Sequence, residues 1–248
     1  MFESVVPINK ERHGQKRVRN TNDFGFASSF HVASITLHEM ARAAAIYPVV
    51  FLEDTDKDSF RPVVLLGLEA GENLFLNEEG KWDASYIPAI IRRYPFALAK
   101  GGDDRYVVCV DEASDLLSDD EGQLLFDEEG NATQVVENVR RYLGELQMLD
   151  QVTQEFTAFL TENNMFTPLN MRVNAKEGVR SISGCYVINE ERLNNLTEEK
   201  FMTLRSKGFL PGIYGHLISL AQIERLISMK KGSADPQVND VADQGLTA

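Results

Sequence analysis

From Thr133 to about Asn163 the chain keeps helical spacing without a break. Apolar side chains fall at Val135, Val136, Val139, Tyr142, Leu143, Leu146, Leu149, Val152, Phe156, Phe159 and Leu160. Residues three and four apart share one face of a helix. The run therefore predicts a single amphipathic helix of about eight turns, roughly 45 Å long at 1.5 Å per residue. In a chain of 248 residues such an element either bends or crosses the whole body. Asn131 or Thr133 is placed to cap it.

The sequence before this helix reads mainly as strands. Phe24–Phe30 alternates well enough for one. Val49–Leu52 and Pro62–Glu69 are β-type runs joined by the acidic turn Glu53–Ser59, and Pro95–Ala99 and Arg105–Val110 bracket Gly101-Gly102-Asp103-Asp104. Both pairs carry a hairpin signature. Asn73–Leu76 and Leu124–Phe126 are shorter candidates, each running into an acidic-acidic-glycine turn. The echo between Leu74–Gly80 and Leu124–Gly130 predicts two similar turns, not a repeat. Thr36 with Glu39 three residues on forms a capping box for a helix over Leu37–Ile46, stopped by Tyr47-Pro48.

After the long helix come two strands, Pro168–Val173 and Val179–Ile188, split by Ala175-Lys176-Glu177-Gly178. The rest is helical: Glu190–Leu196, a segment capped by Thr197 and closed by Gly208, and a last helix from Pro211 to about Met229. Hairpins first and helices later argue an α+β fold with an antiparallel, hairpin-rich sheet. Residues 1–23 read as an extended arm or loop, 24–231 as one domain, and 232–248 as a disordered tail.

Composition narrows the function classes. The 38 Asp and Glu against 25 Lys and Arg give a formal charge of −13, a field that repels nucleic acid and anionic lipid. No apolar stretch approaches the roughly 20 residues of a spanning helix, so integral membrane association is not expected. The N-terminus lacks a basic region followed by an apolar one, so no Sec signal is expected there. Cys109 and Cys185 sit in apolar runs that suit buried free thiols, and a cytoplasmic location follows as the expectation.

Catalytic motifs are missing. The four histidines, His13, His31, His38 and His216, show no metal spacing. Phosphate-loop, dinucleotide and nucleophile-elbow patterns are absent, and no motif names a cofactor. The loop Asp119-Asp120-Glu121-Gly122 fails as an EF-hand because Leu117 falls where the first aspartate is needed. A dispersed site of His38, Glu39 and His216 remains open, because such groups assemble only in space.

One segment has the composition of a contact surface. Trp82 to Phe96 holds the only tryptophan, with Tyr86, Tyr94, Phe96 and the adjacent Arg92 and Arg93. Rings and guanidinium groups together can stack a planar body and pair an anion, and the same mix favours interface centres. The alternative is a short helix, with Ile87, Ile90 and Ile91 inward, whose arginines meet acidic loops of the same chain.

The residues Trp82-x3-Tyr86-Ile87-Pro88-x3-Arg92-Arg93-Tyr94-Pro95-Phe96 resemble the central signature of the SapC-like family of bacterial proteins. So do Val6-Pro7-Ile8-Asn9-Lys10 with His13, Tyr47-Pro48-Val49-Val50-Phe51, Leu125-Phe126-Asp127 with Gly130, and Ile213-Tyr214 with His216-Leu217. The likeness runs over roughly residues 5 to 230. It implies surface-layer association or, by a label common in the family, a peptide-transport permease. The permease role conflicts with the missing spanning segment, and the resemblance brings no catalytic residues. The favoured expectation is an accessory protein that binds a protein partner or a small anionic or aromatic ligand through Trp82, Tyr86, Arg92, Arg93, Tyr94 and Phe96. The alternatives are an enzyme built on the dispersed site, acting on an anionic or peptide-like substrate, and a surface-layer component.

Overall fold

The computed structural model describes residues 2–102, 106–175 and 178–232. In its first half the elements are β1 (Val5–Pro7), α1 (Lys10–His13), β2 (Arg17–Val18), β3 (Val32–Ser34), α2 (Leu37–Ala43), β4 (Val49–Asp54), β5 (Ser59–Leu65), α3 (Ala89–Arg92), β6 (Phe96–Lys100), β7 (Tyr106–Asp111), β8 (Leu117–Ser118) and β9 (Gln123–Leu124). Then come α4 (Gln134–Glu162), β10 (Phe166–Ala175), β11 (Gly178–Ile188), α5 (Glu190–Asn194), α6 (Glu198–Ser206), α7 (Leu210–Ser219) and α8 (Gln222–Gly232). The strands form antiparallel sheets in the orders β10-β11-β4-β5-β3, β1-β7-β6 and β8-β2-β9. This is the α+β arrangement that the sequence order predicts.

The long helix is present as one element of 29 residues. Its two halves serve different cores. Val136 and Leu143 enter a small cluster with Phe96 and Val110, while Phe156 and Leu160 enter the main cluster with Phe51, Met165 and Phe209. Asn164 ends the helix in the left-handed region, at φ 51°, a conformation that asparagine tolerates better than most residues.

Several expectations need correction. Phe24–Phe30 is not a strand: the Asp23 carboxylate accepts the Gly25 N–H and turns the chain into a single 3-10 turn over Gly25–Ala27. Asn73–Leu76 is not a strand either. Asn73 spends its side chain on the Phe75 N–H and the Ala27 carbonyl, and only an isolated bridge joins Leu76 to Trp82. The helix beginning at Thr36 stops at Ala43, before Ile46. The helix expected from Pro211 to Met229 is two, α7 and α8, with Leu220 and Ala221 between them.

Residues 5–18, expected as arm or loop, carry β1, α1 and β2, with β1 on the edge of β7. The tail expectation falls on residues outside those described, apart from Gly232 at the end of α8. The tips of two predicted hairpins, 103–105 and 176–177, also lie outside the described residues.

The echoed turns share one build. Asn77 and Asp127 donate their N–H groups to the carbonyls of Lys81 and Asn131 at 3.0 and 2.9 Å, and their side chains accept the N–H of those same residues. Gly80 and Gly130 close the turns at φ 73° and 85°, which a side chain would strain.

One buried histidine joins sheet to helix. Among the described residues the register of β11 against β4 holds one residue pair, Tyr186 and Phe51. Beside that thin seam, His216 of α7 donates from Nδ1 to the Val49 carbonyl at 2.8 Å and accepts the Ile188 N–H on Nε2 at 3.0 Å. Ser219 accepts the Val49 N–H at 2.9 Å. His216 thus ties β4 to β11 where the ladder does not, and its two partners fix the neutral tautomer.

Burial pulls the pKa of His216 down to about 4 from 6.5. Between those values the unfolded chain holds a proton that the folded one refuses. Stability is therefore full above pH 6.5 and falls as pH drops toward 4, by about 3 kcal/mol from this group. In denaturant unfolding, His216→Gln should cost about 2–4 kcal/mol at pH 7 and lose less than the parent between pH 6.5 and 4.5.

Candidate functional site

The segment from Trp82 to Phe96 crosses from one core to the other, with Ile91 packed in the main cluster and Phe96 in the smaller one. Its first part is held from beneath by Glu39, a buried carboxylate on α2. Oε2 accepts the Thr36 N–H at 2.9 Å and the Thr36 hydroxyl at 3.0 Å. Oε1 accepts the Tyr86 hydroxyl at 2.6 Å and the Ala89 N–H at 2.8 Å. A buried carboxylate is tolerable only when its oxygens are occupied in this way. The capping box therefore does more than cap α2: it anchors Tyr86 and the start of α3.

The network continues through Tyr47, whose hydroxyl donates to the Tyr86 carbonyl and accepts Trp82 Nε1 at 2.8 Å. Burial pushes the Tyr47 phenol up to about 12. Burial first, then the Glu39 carboxylate, raise the Tyr86 phenol well above its ordinary value. Tyr86, buried, and Trp82, half-buried, thus give their polar tips to partners within the protein. Polar tips on large rings find such partners when buried.

The second part of the segment faces outward. Arg92 is exposed; its Nε donates to the Ile87 carbonyl at 3.0 Å, and its guanidinium carbon lies 5.7 Å from the ring centres of both Tyr86 and Tyr142. Arg93 is half-buried, with an enclosed Nε that has no hydrogen-bond partner among the described residues. Its guanidinium lies 5.4 Å from the Phe2 ring. Burial lowers its pKa, and Tyr142 and Asp150 oppose that shift only in part. Neither arginine forms an ion pair among the described residues. Tyr94 stacks on Phe26 with ring centres 4.2 Å apart.

These side chains border a cleft of about 260 Å³ on the seam between the cores. Arg19, Arg92, Arg93, Phe26, Tyr94 and Tyr142 are among its walls, with Phe96 at its base, and no Asp or Glu lines it. Arg19 is already engaged, 3.7 Å from the Glu121 carboxylate. A wider depression of about 820 Å³ adjoins it through Arg19, Phe26 and Tyr94, and carries Glu3, Asp23, Asp115 and Glu121. The field across the pair of hollows therefore pushes an anion toward Arg92 and Arg93.

In the other expected grouping each member is exposed or already engaged. His38 is exposed, Glu39 has both oxygens occupied, and both His216 nitrogens are bound to backbone. Glu39 and His216 share no partner. Among the described residues no cluster of three or more His, Cys, Asp or Glu is arranged to hold a metal ion. Phe26 and Tyr142, which help build the cleft, were not singled out by the sequence. Phe26 lay in a supposed strand and Tyr142 counted as one more apolar position of a helix.

A double-mutant cycle tests the support beneath the segment. Tyr86→Phe should cost about 1–2 kcal/mol in urea unfolding. Its coupling with Glu39→Gln should be about 1 kcal/mol or more, because the two groups share one hydrogen bond.

The family model described as SapC matches residues 8–226. No curated protein and no solved structure shows a significant match to the chain. No helix of the described residues is long and apolar enough to cross a membrane. The family match takes in the cleft, the Glu39 network and the His216 tie, and the chain belongs to the SapC family.

Proposed function

We propose that this protein is a non-catalytic binding protein for a small organic anion with an aromatic or apolar body. The ligand sits in the cleft between the cores, its ring against Tyr94 and Phe26 and its anionic group on Arg93 and Arg92. One observation supports the reading: in a chain with 38 Asp and Glu residues, two adjacent arginines beside a cleft form no ion pair among the described residues, although Asp150 acts on Arg93 from a distance. Arg92 is exposed, but the half-buried Arg93 keeps an enclosed Nε without a hydrogen-bond partner among the described residues, and such a group calls for an explanation. An anion delivered with its own apolar body supplies one. Cys109 and Cys185, both buried and unpaired, suit action in the reducing cytoplasm.

Two expectations separate a ligand-binding arginine from a structural one. By calorimetry, 2-naphthoate should bind about tenfold or more tightly than its neutral counterpart 2-naphthamide. Arg93→Met should remove that preference. The same substitution should leave the unliganded protein as stable as before, or more stable by about 1 kcal/mol, in denaturant unfolding. Equal binding of acid and amide, or an Arg93→Met protein that is strongly destabilised, defeats the proposal.

A further inference from the structure

One stripe of α4 borders another hollow. Leu143, Leu146, Gln147 and Asp150 follow the three- and four-residue spacing of a single helix face, and all four line it. Ile90 of α3, Arg93 just after that helix, Leu98 of β6 and Ile35 add to the wall, and the space enclosed is about 230 Å³. Glu39 also reaches the wall, but both its oxygens are engaged. The remaining charges are Arg93 and Asp150, of opposite sign. They form no ion pair with each other among the described residues, although Asp150 is near enough to raise the pKa of Arg93 against the pull of burial. Each keeps bonding capacity unused: the Arg93 Nε is enclosed and without a partner, and Asp150 accepts the Gln154 side-chain amide on Oδ2 alone, at 2.7 Å.

We infer that this hollow is a further binding site, for a zwitterionic α-amino acid with an aliphatic side chain. Its carboxylate pairs with Arg93, its ammonium with the exposed Asp150, and its hydrocarbon chain packs on Ile35, Ile90, Leu98, Leu143 and Leu146. An anion alone meets repulsion from Asp150, and a cation alone meets it from Arg93. A molecule that carries both signs satisfies both walls. The space is smaller than the pockets that hold drug-sized ligands, which suits a compact amino acid. The inference goes beyond the cleft reading: of the residues placed around the aryl anion there, only Arg93 borders this hollow.

Calorimetry with L-leucine, 4-methylpentanoate and 3-methylbutylamine compares the zwitterion with the same skeleton stripped of one charge. L-Leucine should bind about tenfold or more tightly than either. Asp150→Asn should cost about tenfold in L-leucine affinity without shifting the urea midpoint, and Asp150→Glu should keep most of that affinity. Glu145→Gln, an equal change in net charge at an exposed position of α4, should keep all of it. Binding of 2-naphthoate, measured in parallel, reports on the cleft, and Asp150→Asn should leave it within about twofold. Absent binding of L-leucine, equal binding of L-leucine and 4-methylpentanoate, or a leucine preference that survives Asp150→Asn overturns the inference, whatever 2-naphthoate does. Failure of 2-naphthoate alone overturns only the cleft reading.

Discussion

The buried carboxylate of Glu39 is the constraint from which the site follows. An ionised group without partners would not stay inside a protein, since taking it from water costs several kcal/mol. Four donors from two segments surround this one: Thr36 twice at the cap of α2, and the Tyr86 hydroxyl and Ala89 amide of the segment from Trp82 to Phe96. Each segment is thereby fixed relative to the other. α2 cannot shift without stranding Tyr86, and the start of α3 cannot move without losing its amide partner. Arg92 and Arg93 sit at the end of that short helix, so their positions are inherited from a residue that touches neither. Tyr47 and Trp82 extend the same network, which holds the half-buried tryptophan by its ring nitrogen.

The cleft exists because one helix serves two cores. The N-terminal half of α4 packs with β6 and β7, and the helix also packs on β5 of the five-stranded sheet and on α2. Packed interiors fill their own space to near crystal density, and the concavity lies on the seam where neither core closes over the other. The chain from Ile91 to Phe96 crosses that seam and sets two arginines and a tyrosine along it. His216 has the corresponding role within the main core, holding β4 and β11 to α7 beside a ladder of one residue pair.

What the sequence made legible follows from which interactions are local. The α4 periodicity, both hairpins and the Thr36–Glu39 box depend on residues near one another in the chain, and all three stand in the structure. The echo of Asn77-Glu78-Glu79-Gly80 in Asp127-Glu128-Glu129-Gly130 is equally local and gave two like turns. Phe24–Phe30 misled because three phenylalanines alternate as a strand would, while the Asp23 side chain decides the backbone. The site was half legible. Composition marked Arg92, Arg93 and Tyr94, yet could not tell them from Trp82 and Tyr86, since the difference lies in partners 35 to 47 positions away. Tyr142 carries no mark at all: it is a regular apolar position of α4, and only the fold brings it to Arg92.

An acidic protein with a cationic cleft is not a contradiction, because the two fields act over different distances. The net charge of −13 is felt by anything large enough to sample the whole surface. At physiological ionic strength screening sets in over about 8 Å, so a compact anion inside the cleft responds to Arg92 and Arg93 while most of the surface carboxylates are masked. A nucleic acid strand would have to lie across many of those carboxylates to present a single phosphate to the same arginines. On the proposed reading, repulsion at long range and pairing at short range would together select for size: the acid-rich surface would turn away extended polyanions, and the cleft arginines would reward a ligand small enough to leave that surface behind.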